Sequence, residues 1–128
     1  MSKLHAYRQT AVTTASKEQV LIMLYEGAIK HLKRASAFSI SKDVSAKGIA
    51  VGKAHDIVNE LINSLDFKIG GEVARNLESL YNYIIEQLMK GNLENDHKKF
   101  DACTKILEDL LEAWKIAVAQ VQANRSKG

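Results

Sequence analysis

The 128-residue chain contains no proline and a single cysteine. Proline costs a helix interior roughly 3 kcal/mol, through its missing N–H and a ring clash, so a chain without it is free to be helical throughout. The lone Cys103 cannot close an internal disulfide, which points to a reducing compartment and a cytoplasmic address. No run of 18 apolar residues occurs, and the N-terminus lacks the basic–apolar–small order of a signal peptide. Membrane insertion is therefore not expected. Charge of one sign is also scarce. The net +3 comes from 18 basic and 15 acidic residues spread along the chain, and the densest basic group is Lys30, Lys33 and Arg34. Nucleic-acid binding needs clustered cations to neutralise phosphates. That triplet reads as a solvated helix end, so no nucleic-acid partner is expected.

What is present is helical periodicity. Valine and isoleucine occur at steps of three and four, without the period-two alternation of half-buried strands. One domain's worth of chain, residues 1–128, then reads as an all-α antiparallel four-helix bundle with an irregular N-terminal segment. Residues 1–15 are polar and carry Leu4, Tyr7 and Val12 too far apart for a helix stripe, so a mobile segment is expected there. Ser16 and Gln19 form a capping box that starts helix one, which runs to about Phe38 with Leu21, Leu24, Tyr25, Ala28, Leu32 and Ala35 on its buried face. The serine-rich stretch 36–48 reads as a connection. Helix two runs from about Ser45 to Leu65, burying Ala50, Ala54, Ile57, Val58, Leu61 and Leu65. Asp66 to Gly71 reads as the turn of an αα-hairpin. Helix three spans Glu72 to Lys90, with Val73, Leu77, Leu80, Tyr81, Ile84 and Leu88 inward and Gly91 as a left-handed C-terminal residue. Asn95 or Asp96 caps helix four, which carries Phe100, Cys103, Leu107, Leu110, Leu111, Trp114, Val118 and Val121. The last residues, 124–128, read as a frayed tail.

A screen for chemistry returns little. Glu94 and His97 match half of a bundle di-metal motif, Glu-x-x-His, but stand alone where capping residues belong. His5, His31 and His55 have no partner at ligand spacing, so no metal or cofactor is expected. Gly48 to Lys53 is one residue short of a phosphate loop, and Ala54 stands in place of the required Ser or Thr. Cys103 sits on the core stripe as an inert thiol. Two function classes remain. A binding module would use apolar residues left off the core stripe: Met23, Ile49, Val51, Ile62, Ile85 and Met89. A histidine phosphotransfer bundle would need an open, exposed histidine. His31 sits beside bulky Leu32 and His55 beside repelling Asp56, so the binding module is favoured.

Three stretches carry a resemblance: AYRQTAVTTAS at 6–16, VLIMLYEGAIKHLKRA at 20–35, and NELINSLDFKIGGEVARNLESLYNYIIEQL at 59–88. With Trp114 in LLEAWK, they make the chain resemble the flagellar export chaperone family known as FliS. Lys17 stands where that family usually has proline, and residues 36–53 match poorly. The resemblance implies a cytoplasmic bundle without catalytic activity. It would bind the C-terminal helix-forming segment of flagellin, keep it from polymerising and assist its export, with other flagellar export components as further partners. The chaperone itself is expected to be a monomer with scope for weak self-association. The resemblance also places a tyrosine at Tyr7. Leu4 and Tyr7 are then expected to form a lid that fills the chaperone's own apolar groove until flagellin displaces it.

Overall fold

The computed structural model describes residues 16–127 and is built from four α-helices: α1 (Lys17–Ser41), α2 (Val44–Asn63), α3 (Phe67–Glu94) and α4 (His97–Lys127). No strand occurs among the described residues. The capping box forms in full. Ser16 Oγ accepts from the Gln19 amide at 3.1 Å, and Gln19 Oε1 accepts from the Ser16 amide at 3.2 Å.

The serine-rich stretch is not a connection. α1 runs through it to Ser41, and only Lys42 and Asp43 separate it from α2. Ser36 and Ser39 are buried, so these residues are small faces on a packed helix, and burial outweighs their weak helix propensity. Lys42 takes the left-handed conformation (φ 63°) and returns its N–H to the last carbonyls of α1. Asp43 then caps α2 by accepting from the Ala46 amide at 3.1 Å.

Of the two glycines expected to bound the next long helix, Gly71 does so and Gly91 does not. Asp66 caps a first turn, accepting from the amides of Lys68 and Ile69 at 3.0 and 3.1 Å. Gly71 (φ 52°, ψ −124°) then breaks the path of α3. The hairpin turn is therefore a capped helical turn ending in a kink. Gly91 does not end the helix. α3 continues to Glu94, and Asn95 supplies the left-handed residue at φ 52°. Gly91 is instead a point of close approach, because a Cβ there would lie 3.0 Å from Phe100 of α4. Asp96 caps α4 through the Lys98 amide at 3.1 Å. The helical backbone reaches Lys127, so the expected frayed tail at 124–127 is regular.

Each helix packs on its neighbours in chain order, α1 on α2 and α4, α2 on α3, and α3 on α4, which gives a ring. Tyr25 bonds Tyr81 and Ser39 bonds Asn95 at the same separation of 56 residues, so α1 and α3 run parallel across the centre. Glu18 pairs with Arg125, Tyr25 with Trp114 and Lys33 with Glu108. Numbers rise on α1 as they fall on α4, so those two are antiparallel. Leu32, Val58, Leu61, Ile84, Leu88, Phe100 and Leu107 fill the core with no exposed surface, each contributing on the order of 1.5–3 kcal/mol by burial. One end of the core is closed by Lys47, which is 3% exposed. Its Nζ donates to Asn92 O at 3.0 Å and Asn95 Oδ1 at 2.9 Å. This places a cation on the unpaired carbonyls at the negative end of α3.

Candidate partner-binding surface

Across the middle of the bundle, Trp114 Nε1 donates to the Tyr25 hydroxyl at 3.0 Å, and Tyr25 bonds the Tyr81 hydroxyl. The two tyrosine rings meet edge-on, with centroids 6.3 Å apart. Burial raises the pKa of Tyr25, and burial together with the Tyr25 bond raises that of Tyr81. Both stay neutral donors and acceptors in any physiological range. Burial also pushes the Cys103 thiol up to about 11, and its Sγ lies 3.7 Å from Ile84 O. A thiol held protonated and enclosed is a core residue.

Helical register locates the outer apolar residues. On α3, Ile84 and Gly91 face α4, through Cys103 and Phe100 respectively. Ile85 and Met89 lie roughly 100° or more away on the opposite flank, the one turned to α2. On α2, Ile57 faces α1, since its Cδ1 is 3.2 Å from where a Cβ on Gly27 would sit. Ile62 falls on the other flank, turned to α3. The α2–α3 seam thus gathers Ile62 and Ile85, both half-buried against the core, and Met89, which is 50% exposed. Met23 and Ile49 are exposed on other faces. Met23 is on the outer side of α1, and Ile49 lines the shallow groove between α1 and α2 with Phe38 and His31. Val51 corrects the expectation. It is 2% exposed and part of the core cluster, a core residue rather than a rim one, one turn after Lys47, which bonds Asn92 and Asn95 of α3. Leu4 and Tyr7 lie outside the described residues.

The structure adds a groove that periodicity did not isolate. Where α1 begins and α2 ends, a depression of about 440 Å³ is lined by Leu21, Leu65, Ile69, Val73 and Leu77, with Tyr81 and Trp114 at its base. Ile69 is 88% exposed there. Val73 was expected in the core, but it follows the break at Gly71 and faces this groove, leaving Ala74 buried. Polar chemistry stays sparse. Among the described residues no group of His, Cys, Asp and Glu is placed to hold a metal ion. Glu94 pairs with Lys99 at 3.7 Å, away from any ligating role. His55 Nδ1 bonds the Asn59 amide at 3.1 Å. Burial first, then the Lys53, Arg34 and Lys30 cations, lowers the His31 pKa.

The fold and this surface define an up-and-down four-helix bundle with a closed aromatic centre and apolar side chains left on its outer seams. Comparison with known proteins then gives the family: residues 1–121 match the family model described as flagellar protein FliS, and the chain belongs to that family. A flagellar secretion chaperone FliS of Salmonella typhimurium strain LT2 is 42% identical over 119 residues, 89% of this chain and 88% of that protein. Its namesake from Escherichia coli K12 is 34% identical over 108 residues, 84% and 79% of the two chains. A crystal structure of a flagellar chaperone from bacteria superposes with a TM-score of 0.77 at 20% identity, covering 93% of this chain and 99% of that one. At that identity it shows a shared fold. The chain is therefore a flagellar chaperone by family.

Proposed function

We propose that this chaperone binds the C-terminal helical segment of flagellin in the cytoplasm, keeps it from polymerising and hands it to the export apparatus. The observation that carries the reading is the set of large apolar side chains on the outside of a closed core. Ile62, Ile85 and Met89 lie on one seam, with Met23 and Ile49 on two other faces. A filament-forming segment exposes apolar helix faces that must be covered before assembly, and a bundle with apolar seams supplies substitute surface by the helix-in-groove mode. A single straight helix cannot touch three faces at once, so the bound segment wraps the bundle as more than one helix.

Met89→Asp and Ile49→Asp test this, because both side chains are exposed and surface substitutions usually shift stability by about 0.5 kcal/mol or less. Titration of a flagellin C-terminal peptide should show affinity reduced about tenfold or more by each, at unchanged unfolding midpoint. Binding that is unaffected by both substitutions would remove these faces from the site. Affinity should also fall only modestly with salt, since the seam carries no charge cluster.

A further inference from the structure

The flank of α2 turned to α1 carries the shallow groove of about 190 Å³ that holds Ile49. Ile57 Cδ1 comes within 3.2 Å of where a Cβ on Gly27 would sit, which fixes the level of the two antiparallel helices. Each turn from there toward the hairpin sets one residue of α1 opposite one of α2: His31 with Lys53, Arg34 with Ala50, and Phe38 with Ala46. The groove therefore has two unlike ends. Near the hairpin it is apolar, with Phe38, Ala46 and Ile49, the last 60% exposed. About 10 Å away, the rise of seven helical residues, it is cationic, with His31, Lys53 and Arg34. No aspartate or glutamate lines it.

Nothing in the bundle neutralises the cationic end. Lys33 is engaged with Glu108 on the α4 side, but Lys30, Arg34 and Lys53 form no ion pair among the described residues. Burial and then Lys53, Arg34 and Lys30 lower the His31 pKa, and no acid acts against them. Nor do these cations serve a helix terminus, since α1 runs on to Ser41. Like charges gathered beside an exposed apolar patch complement a partner of the opposite sign.

We infer that this groove seats an acidic stretch of the flagellin segment, with one apolar side chain against Phe38 and Ile49 and an aspartate or glutamate about two helical turns away against Arg34, Lys53 and His31. The inference rests on the flagellin reading above, to which Ile49 connects the groove, and names the chemistry of the part that lies here. The chain's own N-terminal segment does not suit the groove, because residues 1–15 carry Lys3, His5 and Arg8 and no acid. An apolar seam accepts a helix in either direction and in several registers. A groove with one apolar and one cationic end accepts one direction, and rejects the reversed segment by leaving its carboxylates against Phe38.

Titration of a flagellin C-terminal peptide into wild type, R34E/K53E and M89D tests the inference. Arg34 and Lys53 are exposed, so the charge reversal should leave the unfolding midpoint in place. At about 0.02 M salt, where the Debye length is about 20 Å, R34E/K53E should bind about tenfold more weakly than wild type. At about 1 M salt, where it is about 3 Å, wild type should lose about threefold and R34E/K53E gain about threefold, so that the two converge. A peptide with its aspartates and glutamates changed to asparagine and glutamine should bind both proteins alike at low salt. If M89D weakens binding and R34E/K53E does not, the acidic contact is overturned while the flagellin reading stands. A deficit of R34E/K53E that persists at high salt, or with the neutral peptide, also overturns it. A peptide that fails to bind wild type overturns both.

Discussion

Replacing Tyr25 by phenylalanine should destabilise the protein far more than the same change at Tyr81, although the two side chains are equally buried and bonded to each other. The asymmetry follows from position in the chain of hydrogen bonds. Tyr25 is the middle member, accepting from Trp114 Nε1 at 3.0 Å and bonding Tyr81. Its removal leaves two polar groups without partners. A buried group left unsatisfied costs about 1–3 kcal/mol. Tyr81 is 1% exposed and bears that cost in full, whereas half-buried Trp114 recovers part of it from water. The total for Tyr25→Phe comes to about 2–4 kcal/mol. Tyr81→Phe leaves Tyr25 still accepting from Trp114, loses one bond and costs about 1–2 kcal/mol.

In the double variant the second change removes a group already stranded by the first, so its cost should fall below the sum by about 1–2 kcal/mol. That is the coupling expected of residues in one network. The edge-on ring packing survives in all three variants, which isolates the hydroxyls. Urea unfolding followed by the fluorescence of Trp114, the only tryptophan, gives the four free energies at constant slope. Equal losses for the two single variants, or strict additivity in the double one, would refute the network reading.

Stability should decline in alkali. Cys103 rises from an ordinary value of 9.0 to about 11 on folding. A raised folded value means that its contribution is complete below pH 9 and is lost as pH climbs toward 11, on the order of 3 kcal/mol. Cys103→Ala should flatten the fall between pH 9 and 10 and leave the part due to the tyrosines above it. Gly52→Ala should stabilise by about 1 kcal/mol in thermal melts, since a Cβ there meets nothing within 4 Å in an exposed helix turn. Gly91→Ala should do the opposite, because Phe100 must yield and overpacking costs about 1–3 kcal/mol. If Leu4 and Tyr7 act as a lid closed about ten to one, deleting residues 1–12 should tighten flagellin-peptide binding by roughly tenfold, about 1.4 kcal/mol. Unchanged binding would mean no lid, and weaker binding would place the segment within the partner site.

The helices themselves were legible because periodicity and caps agree. Ser16 and Asp96 each sit one residue before a helix and accept from its first amides, while Gln19 in the first turn returns a bond to Ser16. Gly71 was legible as a break, whereas Gly91 and the serines were not, because glycine and serine each have two uses that a sequence does not separate. Gly71 supplies a backbone path that a Cβ would strain, while Gly91 supplies the absence of a Cβ against Phe100. Ser36 and Ser39 look like loop formers and serve as small buried faces. Helix propensity differences of a few tenths of a kcal/mol cannot resist the packing of an adjacent helix.

The outer surface was harder to read, and α2 shows why. Val51 and Ile62 are eleven residues apart, three turns and only about 20° in angle, so a helical projection places both on the same flank. Yet Val51 is 2% exposed while Ile62 is half-buried. The difference lies along the axis. At Val51 the later turns of α3 pack closely, held at that end by Lys47 on Asn92 and Asn95. At Ile62 the chain is about to turn through Ser64–Asp66, and α3 has not yet passed its break at Gly71. The neighbour that buries Val51 is therefore displaced where Ile62 needs it. Periodicity measures the angle of a residue but not the level at which its neighbour kinks away. The kink at Gly71 thus opens both the upper seam around Ile62 and the groove lined by Ile69 and Val73. The break that the sequence marked as a turn is what leaves apolar surface for a partner at that end of the bundle.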